Sequence, residues 1–164
     1  MKQSPYRIFL LLAVLAGAFF FSFAIQAEPE GAEHLGWMTD FEAAKAKAAA
    51  ENKPMLVDFT GSDWCIWCVK LDDEVFSKPG FQDYAKANLI LVEIDFPRKK
   101  EQSAELKQQN NALAQKYAVR GYPTILLLDA KGEVLAKTGY RKGGPDQYVE
   151  HLRGLLADAK PAGI

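Results

Sequence analysis

Apolar residues follow two patterns along the chain: one long uncharged run near the start, then short clusters separated by polar stretches. Met55-Leu56-Val57-Asp58-Phe59-Thr60 is a compact run of strand length, and Leu89 to Ile94 and Thr124 to Leu128 read the same way. Between these runs the spacing is helical. Thr39-Asp40-Phe41-Glu42 matches a capping box, with the Thr39 hydroxyl and the Glu42 carboxylate satisfying free amides. The Ala-rich helix this opens, Phe41 to Asn52, stops before Pro54. A second helix is predicted from Cys65 to Phe76, broken near Pro79-Gly80 and resumed from Phe81 to Ala87. Glu101 to Tyr117 reads as a long polar helix with Leu106, Leu113 and Tyr117 along one side. Asp129-Ala130-Lys131-Gly132 is a hairpin signal leading into a strand from Val134 to Thr138, and Pro145 opens an amphipathic helix running to Ala159. Strand–helix–strand units followed by a hairpin and a helix predict an α/β fold, a mixed sheet with helices on both faces.

The uncharged run from Ile8 to Ile25 belongs to a different device. Lys2 and Arg7 precede it, and small residues follow at Ala24 and Ala27, the layout of a secretory signal over residues 1–27. Eighteen residues of helix would span about 27 Å, just under the roughly 30 Å hydrocarbon layer. The segment is therefore read as a cleaved signal, with an uncleaved membrane anchor as the alternative. Either way, positive charge on the leading flank sends the rest of the chain out of the cytoplasm. A flexible lead-in over residues 28–36 then precedes one domain over residues 37–160.

Composition narrows the chemistry. The 20 basic and 21 acidic residues nearly cancel, so no long-range field attracts nucleic acid. Only two cysteines and two histidines occur, which excludes a multi-disulfide scaffold and a histidine-rich metal site. The two cysteines form Trp64-Cys65-Ile66-Trp67-Cys68, between the first strong strand and a helix. There they can close a small disulfide ring. The sulfur nearer the helix N-terminus meets unpaired amides and the positive dipole end, which favour thiolate over thiol. Such a thiolate attacks a foreign disulfide, and the second cysteine resolves the mixed disulfide. Cys65 is the expected attacker and Cys68 the resolver.

From about Trp37 to Leu156 the chain resembles the thioredoxin-fold family. The resemblance rests on Val57-Asp58-Phe59, the Trp64–Cys68 motif, Val119-Arg120-Gly121-Tyr122-Pro123-Thr124, Lys131-Gly132-Glu133 and Gly139. The stretch Phe59 to Cys65 is similar to exported bacterial thiol–disulfide oxidoreductases of the superfamily, and Tyr122-Pro123-Thr124 resembles a loop of protein disulfide isomerase domains. The resemblance implies a redox-active Cys65–Cys68 disulfide. It also implies a cis peptide before Pro123, a buried Asp58 relaying protons to Cys68, and substrate contacts from Trp64, Tyr122, Pro123 and Gly139. It implies an enzyme of reductase or isomerase type, with no cofactor beyond the cysteine pair. Its partners would be protein thiols and disulfides together with a membrane-bound thiol donor.

The chain departs from the family at several positions. Ile66 and Trp67, between the cysteines, offer neither charge nor a histidine to stabilise a thiolate. Asp63, two residues before Cys65, is expected to oppose one. Leu91 stands where thioredoxins often carry a lysine near the buried acid, and Pro97 to Asn110 reads as an extension of one helix. Arg98-Lys99-Lys100 is expected to be a solvated face and His151 a surface or satisfied residue. Two other readings use the same residues: a Cu(I)-binding or delivery module with the cysteines as soft ligands, and a non-catalytic docking domain of the same fold.

Overall fold

A computed structural model of the chain describes residues 36–159. The expected signal segment 1–27 and nearly all of the expected lead-in 28–36 lie outside these residues. Among the described residues, no helix is long and apolar enough to cross a membrane.

The elements follow in the order α1 (Phe41–Glu51), β1 (Met55–Thr60), α2 (Ile66–Leu71), a π-helical turn (Asp72–Phe76), α3 (Pro79–Asn88), β2 (Ile90–Asp95), α4 (Ala104–Lys116), β3 (Thr124–Leu128), β4 (Val134–Thr138) and α5 (Gly144–Ala159). The sheet order is β2-β1-β3-β4. β1 runs parallel to β2 and antiparallel to β3, and β3 and β4 form the expected hairpin, with Gly132 at φ +88° in its turn. β1 and β3 are buried along their whole length, which is why they read as unbroken apolar runs.

Alternation along the strands sends side chains into two cores. Leu56, Leu91, Ile125 and Leu127 pack with Leu71, Phe76, Phe81, Tyr148 and Leu152 from the helices on one face. Met55, Val57, Phe59, Val92 and Leu126 meet Phe41, Ala44, Ala48 and Leu113 of α1 and α4 on the other. Each fully buried Leu or Phe contributes about 1.5–3 kcal/mol, so both layers are needed to fix the sheet.

The outer edge of β2 is covered by few backbone bonds and several side chains. Met38 makes a single parallel bridge to Val92. Beyond it, the Asp95 carbonyl accepts from the Gln102 and Asn110 side chains, while Gln109 accepts from the Phe41 amide and donates to the Thr39 carbonyl. Polar residues of α4 thus occupy an edge that would otherwise recruit another strand.

Several local expectations shift. The cap of α1 is Asp40, whose carboxylate accepts from the Ala43 amide at 2.9 Å, and Glu42 pairs with Lys45. Thr39 does not form the capping box, because the helix begins one residue later, past an acid that suits the positive dipole end; the Thr39 carbonyl is engaged by Gln109. The helix from Cys65 widens into the π-helical turn at Asp72, where the Ser77 amide reaches back to the Asp72 carbonyl. Pro79 does not break α3 but starts it, at a position where its missing N–H costs nothing. α4 begins only at Ala104, capped by Ser103, so residues 97–103 are irregular and not a helical extension.

The cap assignment is open to a direct comparison. Asp40→Ala is expected to lose about 0.5–2 kcal/mol in urea unfolding and Thr39→Ala far less; equal losses would restore the Thr39 box.

Candidate active site

The site begins where β1 ends. Gly61 supplies a carbonyl that accepts both the Trp64 amide at 3.1 Å and the Cys65 amide at 2.8 Å, folding the chain into a tight turn. Cys65 is therefore not inside α2 but is its N-cap, and its Sγ accepts the Cys68 amide at 3.2 Å. The two sulfurs are bonded, with Cα atoms 5.2 Å apart. Both are largely buried, Cys65 at 7% exposure and Cys68 at 4%, so the sulfur expected to attack is only slightly the more open of the two. Exposure is concentrated instead in Ile66, 77% exposed, and Trp67 and Val69 beside it.

Two aromatic groups flank the disulfide. On one side Trp64 meets Tyr122 edge-on at 5.7 Å, Tyr122 meets Phe96 at 5.3 Å, and the Arg98 guanidinium lies 3.9 Å over the Trp64 ring. The Trp64 indole N–H donates to the Phe96 carbonyl at 2.7 Å. On the other side Trp67 packs on Tyr140 at 5.1 Å, with Lys70 near both rings. The Tyr140 hydroxyl donates to Glu74 at 2.6 Å and holds that carboxyl below its usual range.

The Tyr122–Pro123 peptide is cis. Gly139 lies behind it: a Cβ there would come within 3.1 Å of the Pro123 carbonyl, so any larger residue would push that loop outward. Gly139 also accepts from the buried Tyr148 hydroxyl at 3.1 Å. The fold therefore brings Trp64, Tyr122, Pro123 and Gly139 to the same end of the sheet as the cysteines. His151 is satisfied by Thr138 at 2.9 Å.

The expected role of Asp63 changes. Its carboxylate accepts from the Arg98, Lys99 and Lys100 amides at 2.9, 2.6 and 3.1 Å, and those bonds lower its pKa. Its charge is spent on the 98–100 loop, where three N–H groups compensate it. The basic triplet is likewise more than a solvated face, since its backbone grips Asp63 and Arg98 covers Trp64.

Beneath the disulfide lies a set of acids that the sequence reading found only in part. Asp58 is 7% exposed and its Oδ1 has no hydrogen-bond partner. Burial pushes its carboxyl well above the usual range, and Glu93, Asp95 and Asp72 push it further. Glu93 is raised to about 7, chiefly by burial and then by Asp95. Glu93 and Asp95 carried a local signal: in Leu91-Val92-Glu93-Ile94-Asp95 the acids alternate with apolar residues, so they share the face of Leu91. No group of three or more His, Cys, Asp or Glu side chains among the described residues converges as a metal site.

Comparison with known proteins follows the same outline. A family model described as a thioredoxin-like domain matches residues 41–154. The disulfide bond reductase DsbH of Chlamydia pneumoniae is 37% identical over 131 residues, 80% of this chain and 78% of that protein. A solved DsbH oxidoreductase superposes with a TM-score of 0.72 at 36% identity, covering 80% of this chain and 91% of that one. The thiol:disulfide interchange protein DsbD of Pectobacterium atrosepticum is 28% identical over 119 residues, 71% of this chain but only 18% of that much longer protein.

The position of Asp58 has a thermodynamic consequence. Its folded pKa lies above its unfolded value, so between about pH 4 and the folded pKa the native state binds more protons and stability falls as pH rises. Asp58→Asn is expected to be more stable than the parent by about 1–3 kcal/mol near pH 8 and by much less near pH 4, with the residual slope belonging to Glu93. Urea unfolding at both pH values reads this, and parallel pH dependences in variant and parent would count against it.

Proposed function

The chain belongs to the thioredoxin-like family and is a thiol–disulfide oxidoreductase built on the Cys65–Cys68 pair, and from that premise we propose that it reduces or isomerises disulfides of protein substrates outside the cytoplasm. The observation that carries this reading is the Cys65 sulfur at the cap of α2, accepting the Cys68 amide. A thiolate at that position gains an amide bond and the positive end of the helix, which favours its release from a proton.

The reaction divides among the residues of the site. Cys65 attacks a substrate disulfide and forms a mixed disulfide. Cys68, deeper by one turn, gives its proton to Asp58 and attacks Cys65 in turn, releasing the substrate thiol. Trp64, Tyr122, Pro123 and Gly139 form the surface on which an extended substrate segment lies. Protein thiols are the partners of this exchange. The location outside the cytoplasm is supported by the basic, apolar and small-residue order of residues 1–27. A reductase working there needs electrons resupplied across the membrane, from a membrane-bound thiol donor.

Redox poise follows from what surrounds the sulfurs. Ile66 turns an apolar side chain outward and Trp67 stacks on Tyr140, so neither side chain adds charge to hold a free thiolate. With the Cys68 amide and the helix end to stabilise it but no charge from the intervening side chains, the reduced form gives up its electrons readily. The expected potential is therefore closer to about −270 mV than to the roughly −120 mV of a strong oxidant. Equilibration with glutathione measures it, and a value above about −150 mV would reverse the direction of electron flow.

The division of labour is tested with single-cysteine variants. Cys68→Ser is expected to accumulate mixed disulfides on Cys65, at about ten times or more the level trapped by Cys65→Ser. Comparable trapping by both, or faster labelling of Cys68 at mildly acidic pH, would exchange the two roles.

A further inference from the structure

The parallel register of β1 and β2 sets three pairs of side chains across the face that carries the disulfide: Leu56 with Leu91, Asp58 with Glu93, and Thr60 with Asp95. The first pair is apolar core. In the third, Asp95 is already engaged, its two oxygens accepting the Ser62 amide at 2.9 Å and the Ser62 hydroxyl at 2.6 Å. The middle pair sets two carboxyls on neighbouring strands, which lie about 4.8 Å apart. Asp58 keeps one oxygen without a hydrogen-bond partner, and among the described residues no hydrogen bond or ion pair engages the Glu93 carboxyl, although its backbone amide donates to the Met38 carbonyl. Both side chains, together with Cys68, line a single cleft of about 1290 Å³, whose walls also include Asp72 of the π-helical turn and Lys100 of the loop after β2.

We propose that Glu93 is the outer half of a two-carboxyl relay, carrying between Asp58 and the water of this cleft the proton that Cys68 gives up. The inference rests on the oxidoreductase reading above, in which Cys68 must lose a proton to resolve the mixed disulfide. Glu93 does not touch the sulfurs. It is a positioning residue that acts through Asp58.

The step balances as follows. One proton is shared by the pair, with the negative charge resting on the more accessible Glu93. When Asp58 passes its proton to Glu93, the buried Asp58 becomes the carboxylate that accepts the proton from Cys68 Sγ. The Cys68 thiolate forms a bond to Cys65 Sγ as the bond from Cys65 to the substrate sulfur breaks. The substrate sulfur leaves with the electron pair and takes a proton from water, and Glu93 returns its own to water in the cleft. The protein loses two electrons and the substrate gains them.

The surroundings favour one proton on this pair. Asp95 on β2 and Asp72 on the π-helical turn add negative charge to both groups, and the buried Tyr148 of α5 stands near Asp58. Lys100, on the loop after β2, is the cation that acts on Glu93. Asp40, Glu101 and Glu105 line the cleft as well and add no compensating charge. Facing positions on paired strands, with that balance around them, disfavour ionising both carboxyls at once.

The test uses the full chain and its Glu93→Gln and Glu93→Asp variants. The isotope-labelled Asp58 carboxyl signal is followed by NMR against pH in the reduced protein. Release of a preformed mixed disulfide from Cys65 is timed in a single turnover across the same range. The parent is expected to titrate Asp58 in two coupled steps, and Glu93→Gln in one step at lower pH. The pH profile of release in Glu93→Gln shifts to lower pH in step with the Asp58 titration, and Glu93→Asp restores the parent profile. An Asp58 titration identical in parent and Glu93→Gln, or an unchanged pH profile of release, overturns the relay. A parent that forms no mixed disulfide overturns the oxidoreductase roles instead, while the Asp58 titration still decides the relay.

Discussion

The contact between the Cys68 amide and the Cys65 sulfur, 3.2 Å long, requires α2 to start at one residue and no other. That start is set by the turn on Gly61, whose carbonyl takes the Trp64 and Cys65 amides. The turn in turn depends on two acids outside α2. Asp95 at the end of β2 fastens Ser62, and Asp63 fastens the loop after β2. The sulfur chemistry is thus held by a lattice of hydrogen bonds spanning two parallel strands and both of the segments that leave them. Losing any of these bonds would move the helix start, and with it the amide that a thiolate needs.

Beneath the sulfurs the sheet changes character within three residue pairs, from Leu56 and Leu91 to Asp58 and Glu93 to Thr60 and Asp95. Hydrophobic packing holds the lower part of this face, and carboxyls occupy the part nearest the disulfide. A buried carboxyl without partners weakens a fold, and two of them side by side weaken it more. The sheet carries this cost because β1 is buried along its whole length and has core on both sides. Stability is thus given up at the end of the sheet that carries the disulfide.

Much of this was legible in the sequence. β1 and β3 read as strands because strands buried on both faces are continuous apolar runs, and the cysteine motif read as a site because its chemistry needs few residues at fixed spacing. Local signals failed where a distant partner decided the outcome. Thr39 looks like a cap, while in the fold Asp40 caps α1 and Gln109, seventy residues away, engages the Thr39 carbonyl. Glu93 and Asp95 alternate legibly, but only the pairing of β2 with β1 reveals that Glu93 faces Asp58. Arg98 looks like one member of a solvated triplet because nothing nearby in sequence shows that Asp63 draws its loop over Trp64. Gln102, Gln109 and Asn110 belong to a stretch that reads only as a long polar helix, while in the fold they occupy the edge of β2.

The grip of Asp63 on residues 98–100 uses only their backbone amides. Such an anchor is indifferent to which side chains those residues bear. Lys99 can therefore be exchanged while the loop keeps its place beside Trp64, whereas the Arg98 and Lys100 side chains have tasks of their own, over the Trp64 ring and at the Ser62 hydroxyl. Backbone atoms thus set where this loop stands, and side chains set what it presents, so the two can be altered separately.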